Sequence, residues 1–232
     1  MILLGDGALV IRAYEAAKKL NVSVDCVVCS PGDLSAKRLG SMGARVVESA
    51  APNQTLAIEL HRASEPYVLS VNNRTILADA LLDQPFIFLN IHNGLTQRYR
   101  GIAEVCVFAA ICHKVEEYGA TVHRMLPRQL VDTGPIVVQR RFGVSQAVTF
   151  EALFRESLAN VQELLTEAIE RFRDPWIPCL LAPGSETLKY SSVARLIRET
   201  PSDRVLRACE LGVFQGMLPK LTNEISRAML IG

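Results

Sequence analysis

The sequence predicts an α/β fold, in which an open, mostly parallel twisted sheet carries helices on both faces and is followed by a helical extension. Over about the first 90 residues, short apolar segments typical of strands alternate with helical segments, the order that produces parallel sheets. In addition, Val22–Cys29 is a valine-rich, largely apolar run, as expected of a strand covered on both faces. Ligands of such folds bind outside the carboxyl ends of the strands.

The first part of the chain divides into elements at residues that interrupt regular structure. Gly5-Asp6-Gly7 ends the first strand, Pro31-Gly32 precedes the second helix, and Pro52-Asn53 precedes the third, since Gly and Pro are the strongest signals of turns. The predicted strands are Ile2–Leu4, Val22–Cys29, Ala44–Val47, Tyr67–Val71 and Phe86–Ile91. The predicted helices are Ala8–Leu20, Leu34–Met42, Thr55–Ala63 and Leu77–Leu82.

The middle of the chain has longer elements. Ala103–Cys112 is predicted as an apolar helix, and Thr121–Met125 and Ile136–Arg141 as strands on either side of a polar loop, Leu126–Pro135. Thr149–Arg171 has apolar residues at the spacing of an amphipathic helix. The middle therefore extends the sheet and closes with a long helix.

The length of 232 residues allows one large domain or one domain with an appendage, since domains average roughly 150 residues. The run Asp174-Pro175-Trp176-Ile177-Pro178 interrupts the helical pattern. We therefore expect a main domain over residues 1–175 and a helical extension over residues 176–232. The apolar positions of the extension would suit packing on the main domain, on a partner or on a second copy in a homodimer.

Composition excludes several functional classes. The chain has 25 Lys+Arg and 24 Asp+Glu, a net charge of +1, and so lacks the basic surface of a dedicated nucleic-acid-binding protein. It has no apolar run of about 18 residues that would span a bilayer. The segment Met1–Gly7 lacks the basic region of a secretory signal. We expect a cytoplasmic protein with no nucleic-acid or membrane partner.

Cysteine and histidine spacing argues against a metal site. Cys26 and Cys29 have zinc-site spacing but lie in a predicted strand, where residues i and i+3 point to opposite faces and cannot share a metal ion. The four histidines are dispersed, with no pair at i and i+4. We expect structural thiols and no bound metal.

The most informative segment follows the predicted strand Phe86–Ile91. Asn90 and His92 are two residues apart, so an extended chain places both on one face at the carboxyl end of a strand. A later loop contributes Asp132. A hydrogen-bond donor, an acid/base and a carboxylate together suit attack of a neutral nucleophile on a carbonyl group. Polar residues that merely cap a strand and a turn are the alternative.

Gly5-Asp6-Gly7 lacks the remaining glycine of a dinucleotide-binding motif, because Val10 occupies that position. A tight turn before a helix is the better interpretation. Its backbone N–H groups would suit an anionic group of a substrate, which makes Gly5 and Asp6 candidate substrate-binding residues.

Four segments occur in order along the chain: Asn90-Ile91-His92, Arg98-Tyr99-Arg100-Gly101, Gly119–His123 and Val131–Ile136. With them, residues 1 to about 172 resemble the folate-dependent formyltransferase family, which includes glycinamide ribonucleotide, methionyl-tRNA and amino-sugar formyltransferases. Members carry N-x-H, a loop similar to S-L-L-P-x-Y-x-G, then G-x-T-x-H and D-x-G. Each motif alone is weak, but four in register are specific. The resemblance implies a Rossmann-like formyltransferase fold.

The resemblance also implies roles for the three polar residues. Asn90 would donate to the formyl oxygen of 10-formyltetrahydrofolate as that oxygen gains negative charge. His92 would move a proton and polarise the same carbonyl group. Asp132 would hold His92 or an ordered water.

The resemblance further implies binding residues. Those expected at the folate donor are Asn73, Thr75, Ile76, Leu77, Leu130, Val131 and Gly134. At the acceptor, besides Gly5 and Asp6, the candidates are Arg98, Tyr99 and Arg100, because guanidinium groups suit carboxylates and phosphates. Solvated loop charges are the alternative for the two arginines. His123 is expected either to support the wall of the active site or to lie in the core.

The chain departs from the family pattern after His92. Where members usually have H-P-S-L-L-P, it has His92-Asn93-Gly94-Leu95-Thr96-Gln97, which removes a serine and two prolines and alters the stiffness of the loop. This variant resembles formyltransferases associated with nonribosomal peptide synthesis. The extension 176–232 is not the basic, strand-rich barrel of methionyl-tRNA formyltransferases, which argues against tRNA as acceptor.

The sequence therefore predicts an enzyme that moves a formyl group from 10-formyltetrahydrofolate to a primary amine of a small metabolite. The amine would belong to an amino sugar, an amino acid or a carrier-bound peptide precursor. Two alternatives stay open. One is a hydrolase of the formyl donor, and the other is a non-catalytic relative that uses the pocket for binding.

Overall fold

A computed structural model describes residues 1–172 and 174–231, without the side chain of residue 231. Seven strands form one sheet in the order β3-β2-β1-β4-β5-β7-β8. The strands of this sheet are β1 (Ile2–Gly5), β2 (Cys26–Cys29), β3 (Val46–Glu48), β4 (Tyr67–Val71), β5 (Ile87–His92), β7 (Glu117–Arg124) and β8 (Ile136–Gly143). The pairs β1·β2, β1·β4, β2·β3 and β4·β5 are parallel.

Helices occupy the connections between the strands. They are α1 (Gly7–Lys19), α2 (Leu34–Ser41), α3 (Pro52–Leu60), α4 (Asp79–Leu82), α5 (Ala103–Cys112) and α6 (Phe150–Arg171). The predicted α/β fold with a mostly parallel sheet is confirmed. The last part of the chain forms α7 (Val193–Glu199), α8 (Ser202–Cys209) and α9 (Pro219–Ile231), which confirms the predicted helical extension.

Several boundaries differ from those predicted. β2 begins at Cys26 rather than at Val22, because the N–H of Val22 bonds the carbonyl of Ala17 and closes the end of α1. α3 begins at Pro52 rather than at Thr55, since Pro suits the first turn of a helix, where its missing N–H costs nothing. β7 begins four residues before Thr121, at Glu117.

The described residues fall into two compact units. The first unit comprises Met1–His92, Val122–Val138 and Gln162–Cys179. Its core is an apolar cluster on β1, β2, β4, β5, α3 and α4 that includes Ile2, Val28 and Phe88. Cys26 belongs to this cluster and Cys29 is buried outside it. Burial raises the pKa of each thiol to about 11. Both side chains are therefore structural.

The second unit comprises Asn93–Thr121, Gln139–Val161 and Leu180–Gly232. Its apolar cluster is built around α5 with residues of α7, α8 and α9. A two-stranded parallel sheet, β6 (Tyr99–Gly101) with β9 (Glu186–Leu188), was not predicted. The division of the chain at residue 175 stays a prediction. None of the helices in the described residues combines the length and apolar character needed to cross a membrane.

Candidate active site

Two polar side chains project from the carboxyl-terminal half of β5. The strand is paired with β4, so that Asn90 lies opposite Ser70 and Ile91 opposite Val71. Asn90 and His92 lie on the same face because side chains alternate along a strand. The carbonyl of Phe88, on the same strand, accepts from the N–H of Met125, which brings the end of β7 beside β5.

Asp132 is placed by a tight loop after β7. Its φ is +57°, in the left-handed region that non-glycine residues rarely adopt. Two residues on, a Cβ added to Gly134 would collide with the carbonyl oxygen of Arg124. The N–H of Arg124 in turn bonds the carbonyl of Pro135 at 2.8 Å. The loop therefore folds back against β7, and only glycine fits where it passes Arg124.

The loop brings Asp132 to the side chains of β5 and β7. His92 Nδ1 lies 3.4 Å from Asp132 Oδ2, and His123 Nε2 lies 3.2 Å from Asp132 Oδ1. Asn90 Nδ2 lies 3.3 Å from the same Oδ1. One carboxylate therefore contacts two imidazoles and an amide. We call Asn90, His92, His123 and Asp132 the Asp132 cluster.

His123 is the member whose role sequence reasoning left open. Its Nδ1 lies 3.1 Å from the carbonyl oxygen of Arg124, an acceptor for a hydrogen on that nitrogen. Nε2 then faces Asn90 Nδ2 at 3.2 Å and Asp132. The G-x-T-x-H spacing was the available signal, because it puts His123 near the carboxyl end of a strand beside β5.

The Asp132 cluster is shielded from solvent. His92, His123 and Asp132 are all buried, and Asn90 is partly buried. Charges and dipoles act more strongly in such surroundings than in water. The cluster can therefore orient a carbonyl group, hold an imidazole in one orientation and transfer a proton, the three tasks of acyl transfer to an amine.

The residues predicted to bind folate divide into two groups. Ile76 and Leu130 are 70% and 69% exposed, and Val131 is also exposed, so these apolar side chains are accessible to a flat ring. Leu77, in contrast, is buried in the core of the first unit. Gly134 serves the close approach described above.

The side chain of Asn73 closes a local turn with the backbone of Thr75. Asn73 Oδ1 accepts from the N–H of Thr75 at 3.0 Å, and Asn73 Nδ2 donates to the carbonyl of Thr75 at 2.9 Å. Asn53 fixes the following residues by bonding the carbonyl of Ile76 at 3.1 Å and the N–H of Ala78 at 2.8 Å. The segment is thus held in one conformation.

Arg128 connects the two predicted folate-binding segments. Its N–H donates to Asp79 Oδ1 at 2.7 Å, and its guanidinium makes two bonds of 2.8 Å to the carboxylate of Asp83. Asp79 and Asp83 lie at the two ends of α4, which follows the segment of Ile76. The loop that carries Leu130 is therefore tied to that segment.

The turn Gly5-Asp6-Gly7 is occupied by interactions within the chain. The carboxylate of Asp6 accepts from the N–H and the hydroxyl of Ser30, both at 2.7 Å, and Asp33 accepts from the N–H of Gly7 at 3.1 Å. Burial acts to raise the pKa of Asp33, but hydrogen bonds from Ser35 and Gly7 outweigh it and lower that pKa. Two carboxylates thus stand at this turn, which disfavours an anion there.

The family comes from comparison with known proteins. The model of the formyl transferase family matches residues 3–169. This chain belongs to that family. A relative, the methionyl-tRNA formyltransferase of Corynebacterium urealyticum, is 28% identical over 152 residues, which cover 66% of this chain and 45% of the relative. The chain thus spans less than half the length of that curated relative.

Solved structures share the formyl transferase fold. A sugar N-formyltransferase from a Shewanella species superposes with a TM-score of 0.72 at 18% identity, covering 92% of this chain and 89% of its own. An N-formyltransferase from Helicobacter canadensis, in complex with folinic acid and dTDP-3-aminofucose, gives a TM-score of 0.68 at 14% identity and coverages of 93% and 81%.

The remaining predicted residues, Arg98, Tyr99 and Arg100, belong to the second unit. Arg98 and Tyr99 line a cavity of about 490 Å³. The hydroxyl of Tyr99 lies 3.2 Å from Nδ1 of His113, and burial raises the pKa of Tyr99 well above its ordinary value. Arg100 is buried on β6.

The loop that departs from the family pattern, residues 93–98, is held by side chains of the second unit. Tyr118 donates to the carbonyl of Asn93 at 2.9 Å, and Thr121 donates to the carbonyl of Gly94 at 2.7 Å. Gln139 bonds Thr121 at 2.7 Å and Gln97 at 3.0 Å. These bonds restrict the loop where other members have prolines.

Proposed function

We propose that this protein transfers a formyl group from 10-formyltetrahydrofolate to a primary amine of a small metabolite. The observation that carries the proposal is the Asp132 cluster, which joins a neutral donor, two imidazoles and a carboxylate within one buried site. Membership of the formyl transferase family supports it, as does a neighbour solved with folinic acid.

The donor supplies the formyl group when it is bound. The accessible side chains of Ile76, Leu130 and Val131 suit an apolar, planar ring, since aromatic ligands bind mainly through apolar contact with a few polar groups for orientation. The bond network of Arg128 and Asn53 keeps the segments of these side chains in place. Leu77, Asn73, Thr75 and Gly134 then act by shaping this part of the backbone.

Asn90 is proposed to stabilise the charge that develops on the formyl oxygen. Its amide donates one hydrogen to Asp132 Oδ1, which orients the group and leaves the second hydrogen for the formyl oxygen. A donor of this kind contributes about 2.7–4 kcal/mol to a transition state. Asn90 is therefore the proposed oxyanion donor.

His92 and Asp132 are proposed to move protons. An amine attacks only when it is neutral, so its proton must leave, and the departing nitrogen of the folate must gain one. The carboxylate of Asp132 lies 3.4 Å from Nδ1 of His92 and favours a hydrogen on that nitrogen. His123 contacts Asp132 from the other side and is proposed as a positioning residue.

The acceptor is proposed to be a small amine, namely an amino sugar, an amino acid or a carrier-bound precursor. The net charge of +1 provides no basic surface for tRNA. Arg98 and Tyr99 are the proposed acceptor contacts. The carboxylates of Asp6 and Asp33 disfavour an anionic group of the acceptor at the first turn.

A formyl-transfer assay tests the proposal. The full chain is incubated with 10-formyltetrahydrofolate and a panel of amino sugars, amino acids and aminoacyl carrier proteins, and release of tetrahydrofolate and formylation of the amine are measured together. We expect release that depends on one class of amine and equals its formylation. Release without any amine would identify a hydrolase instead.

Binding of 5-formyltetrahydrofolate, measured by calorimetry, distinguishes an enzyme from the remaining alternative, a non-catalytic relative. Micromolar binding without turnover of any amine or water would favour a non-catalytic relative. Failure to bind at millimolar concentration would contradict the proposed folate site.

A further inference from the structure

Arg100 is the only lysine or arginine that is buried among the residues that the structure describes. Its side chain is 2% exposed, and neither Nε nor Nη1 has a hydrogen-bond partner in the described part of the chain. A guanidinium stays protonated in proteins, so burial cannot be relieved by loss of a proton. A charge buried in this way is strongly unfavourable unless it is paired.

Other guanidinium groups of this chain have carboxylate partners. Arg45 bonds Glu59 at 2.7 Å, Arg141 bonds Glu117 at 2.8 Å, and Arg195 is paired with Glu186. These arginines lie at the surface, where pairing matters least. The buried guanidinium of Arg100 lacks the carboxylate partner that these three surface guanidinium groups have.

Nearby carboxylates of the second unit are already engaged. Glu186 lies on β9, the strand paired with that of Arg100, and it is bound by Arg195. Glu104, on the helix that follows β6, accepts from the hydroxyl of Tyr190 at 2.5 Å. Neither is bonded to Arg100.

The backbone holds Arg100 in one position. It lies opposite Thr187 in the parallel pair β6·β9, and the N–H of Ile102 bonds the carbonyl of Leu188 at 3.0 Å. A Cβ added to the neighbouring Gly101 would meet that same carbonyl, so the two strands are in close contact there. The backbone position from which the Arg100 side chain projects is therefore fixed.

We propose that Arg100 is the centre of an anion-binding site in the second unit, and that its ligand is a small molecule with a carboxylate or phosphate group. Guanidinium groups form their strongest hydrogen bonds with these two anions. Arg100 was also a predicted acceptor residue, but the test is independent of formyl transfer because it measures anion binding itself.

Thermal unfolding tests the site with inorganic phosphate and acetate, each compared with chloride at constant ionic strength. In chloride, we expect Arg100→Met to unfold at a higher temperature than the wild type, since an apolar side chain of similar length removes the unpaired charge. Phosphate or acetate should raise the unfolding temperature of the wild type and leave Arg100→Met unchanged. The anion that raises the unfolding temperature more indicates whether the ligand carries a phosphate or a carboxylate group.

Arg227→Met is the matched control, since Arg227 is an exposed arginine of the same unit, paired with Glu224. It should respond to phosphate and acetate as the wild type does. Equal responses of the wild type and Arg100→Met would overturn the proposal and leave a guanidinium solvated by water alone.

A second measurement, on the wild type with Arg100→Lys for assignment, keeps the test valid if Arg100→Met does not fold. The Nε–H resonance of Arg100, assigned by its loss in Arg100→Lys, is followed by NMR during titration with phosphate and with acetate. Saturable movement of this resonance is expected with one of the two anions. A resonance that stays fixed with both would contradict an anion site.

Discussion

In the first unit, a buried carboxylate, Asp132, lies between His92 and His123, and Asn90 bonds it as well. In the second unit, a buried cation, Arg100, has two nitrogens without a partner in the described residues. The carboxylate of Asp132 has its hydrogen-bonding partners within the chain and is ordered before a ligand binds. The guanidinium of Arg100 is proposed to take its partner from a bound anion. The proposed catalytic site at Asp132 and the proposed anion-binding site at Arg100 thus differ in the source of the groups that compensate the buried charge.

Removal of the carboxylate from the Asp132 cluster should have the largest effect. We expect Asp132→Asn to lower kcat at least about 100-fold, the usual range for loss of an acid/base group, while the protein stays folded. Steady-state formyl transfer measures kcat, and circular dichroism shows whether the protein is folded. Asp203→Asn, which alters an exposed partner of Arg207, should keep full activity. Wild-type turnover by folded Asp132→Asn would remove the cluster from the mechanism.

A smaller effect is expected at the positioning residue. His123→Ala should lower kcat about 10-fold to 100-fold, since misplacement of a reacting group by about 1 Å costs up to that factor. The KM for the folate donor should not change, and the pH profile of kcat should shift because Asp132 loses one partner. His123→Gln should restore part of the rate.

The exposed His61 at the end of α3 provides the control for this pair of variants, as His61→Ala should match the wild type. Loss of donor affinity in His123→Ala without a change in kcat would assign His123 to folate binding instead.

Gly134 tests whether the loop of Asp132 depends on its close approach to β7. Gly134→Ala forces a Cβ against the carbonyl of Arg124, and overpacking of this kind costs about 1–3 kcal/mol. Urea unfolding measures the loss. Gly40→Ala is the control, because no atom lies within 4 Å of its added Cβ and alanine favours the helix there. Equal stability of the two variants would contradict the packing argument.

The smallest effect concerns the ion pair of the first unit between the exposed Arg45 and the buried Glu59. Two hydrogen bonds from Arg45 hold the pKa of Glu59 below its ordinary 4.5. The stabilisation is therefore present above pH 4.5 and is lost as pH falls through the lowered pKa. Glu59→Gln should flatten the fall of the free energy of unfolding between neutral and acid pH, while Glu224→Gln should not. An unchanged slope in Glu59→Gln would exclude this linkage.

Local patterns predicted much of the fold. Alternation of short apolar runs with helical segments predicted the strands of the sheet, and the spacing of Asn90 and His92 placed them on one face. The pair β6·β9 was missed because three-residue strands carry almost no periodic signal. Asp132 is 42 residues from Asn90 along the chain, so their association was predicted from complementary chemistry and the family resemblance, and not from spacing.

Other functional details depend on contacts that no local pattern reveals. The backbone of Gly134 meets a carbonyl ten residues earlier, and the side chain of Asn73 is used within its own turn. Asp6 is engaged by Ser30 across two strands. Sequence reasoning identified these residues as candidates, but their partners depend on tertiary structure.

The loop 93–98 has a thermal consequence. A proline ring restricts a backbone equally at every temperature, whereas the bonds from Tyr118, Thr121 and Gln139 open as the protein warms. Local opening of this kind requires less free energy than global unfolding. This chain should therefore lose catalytic rate on heating before its secondary structure melts, and a proline-containing member should lose both together.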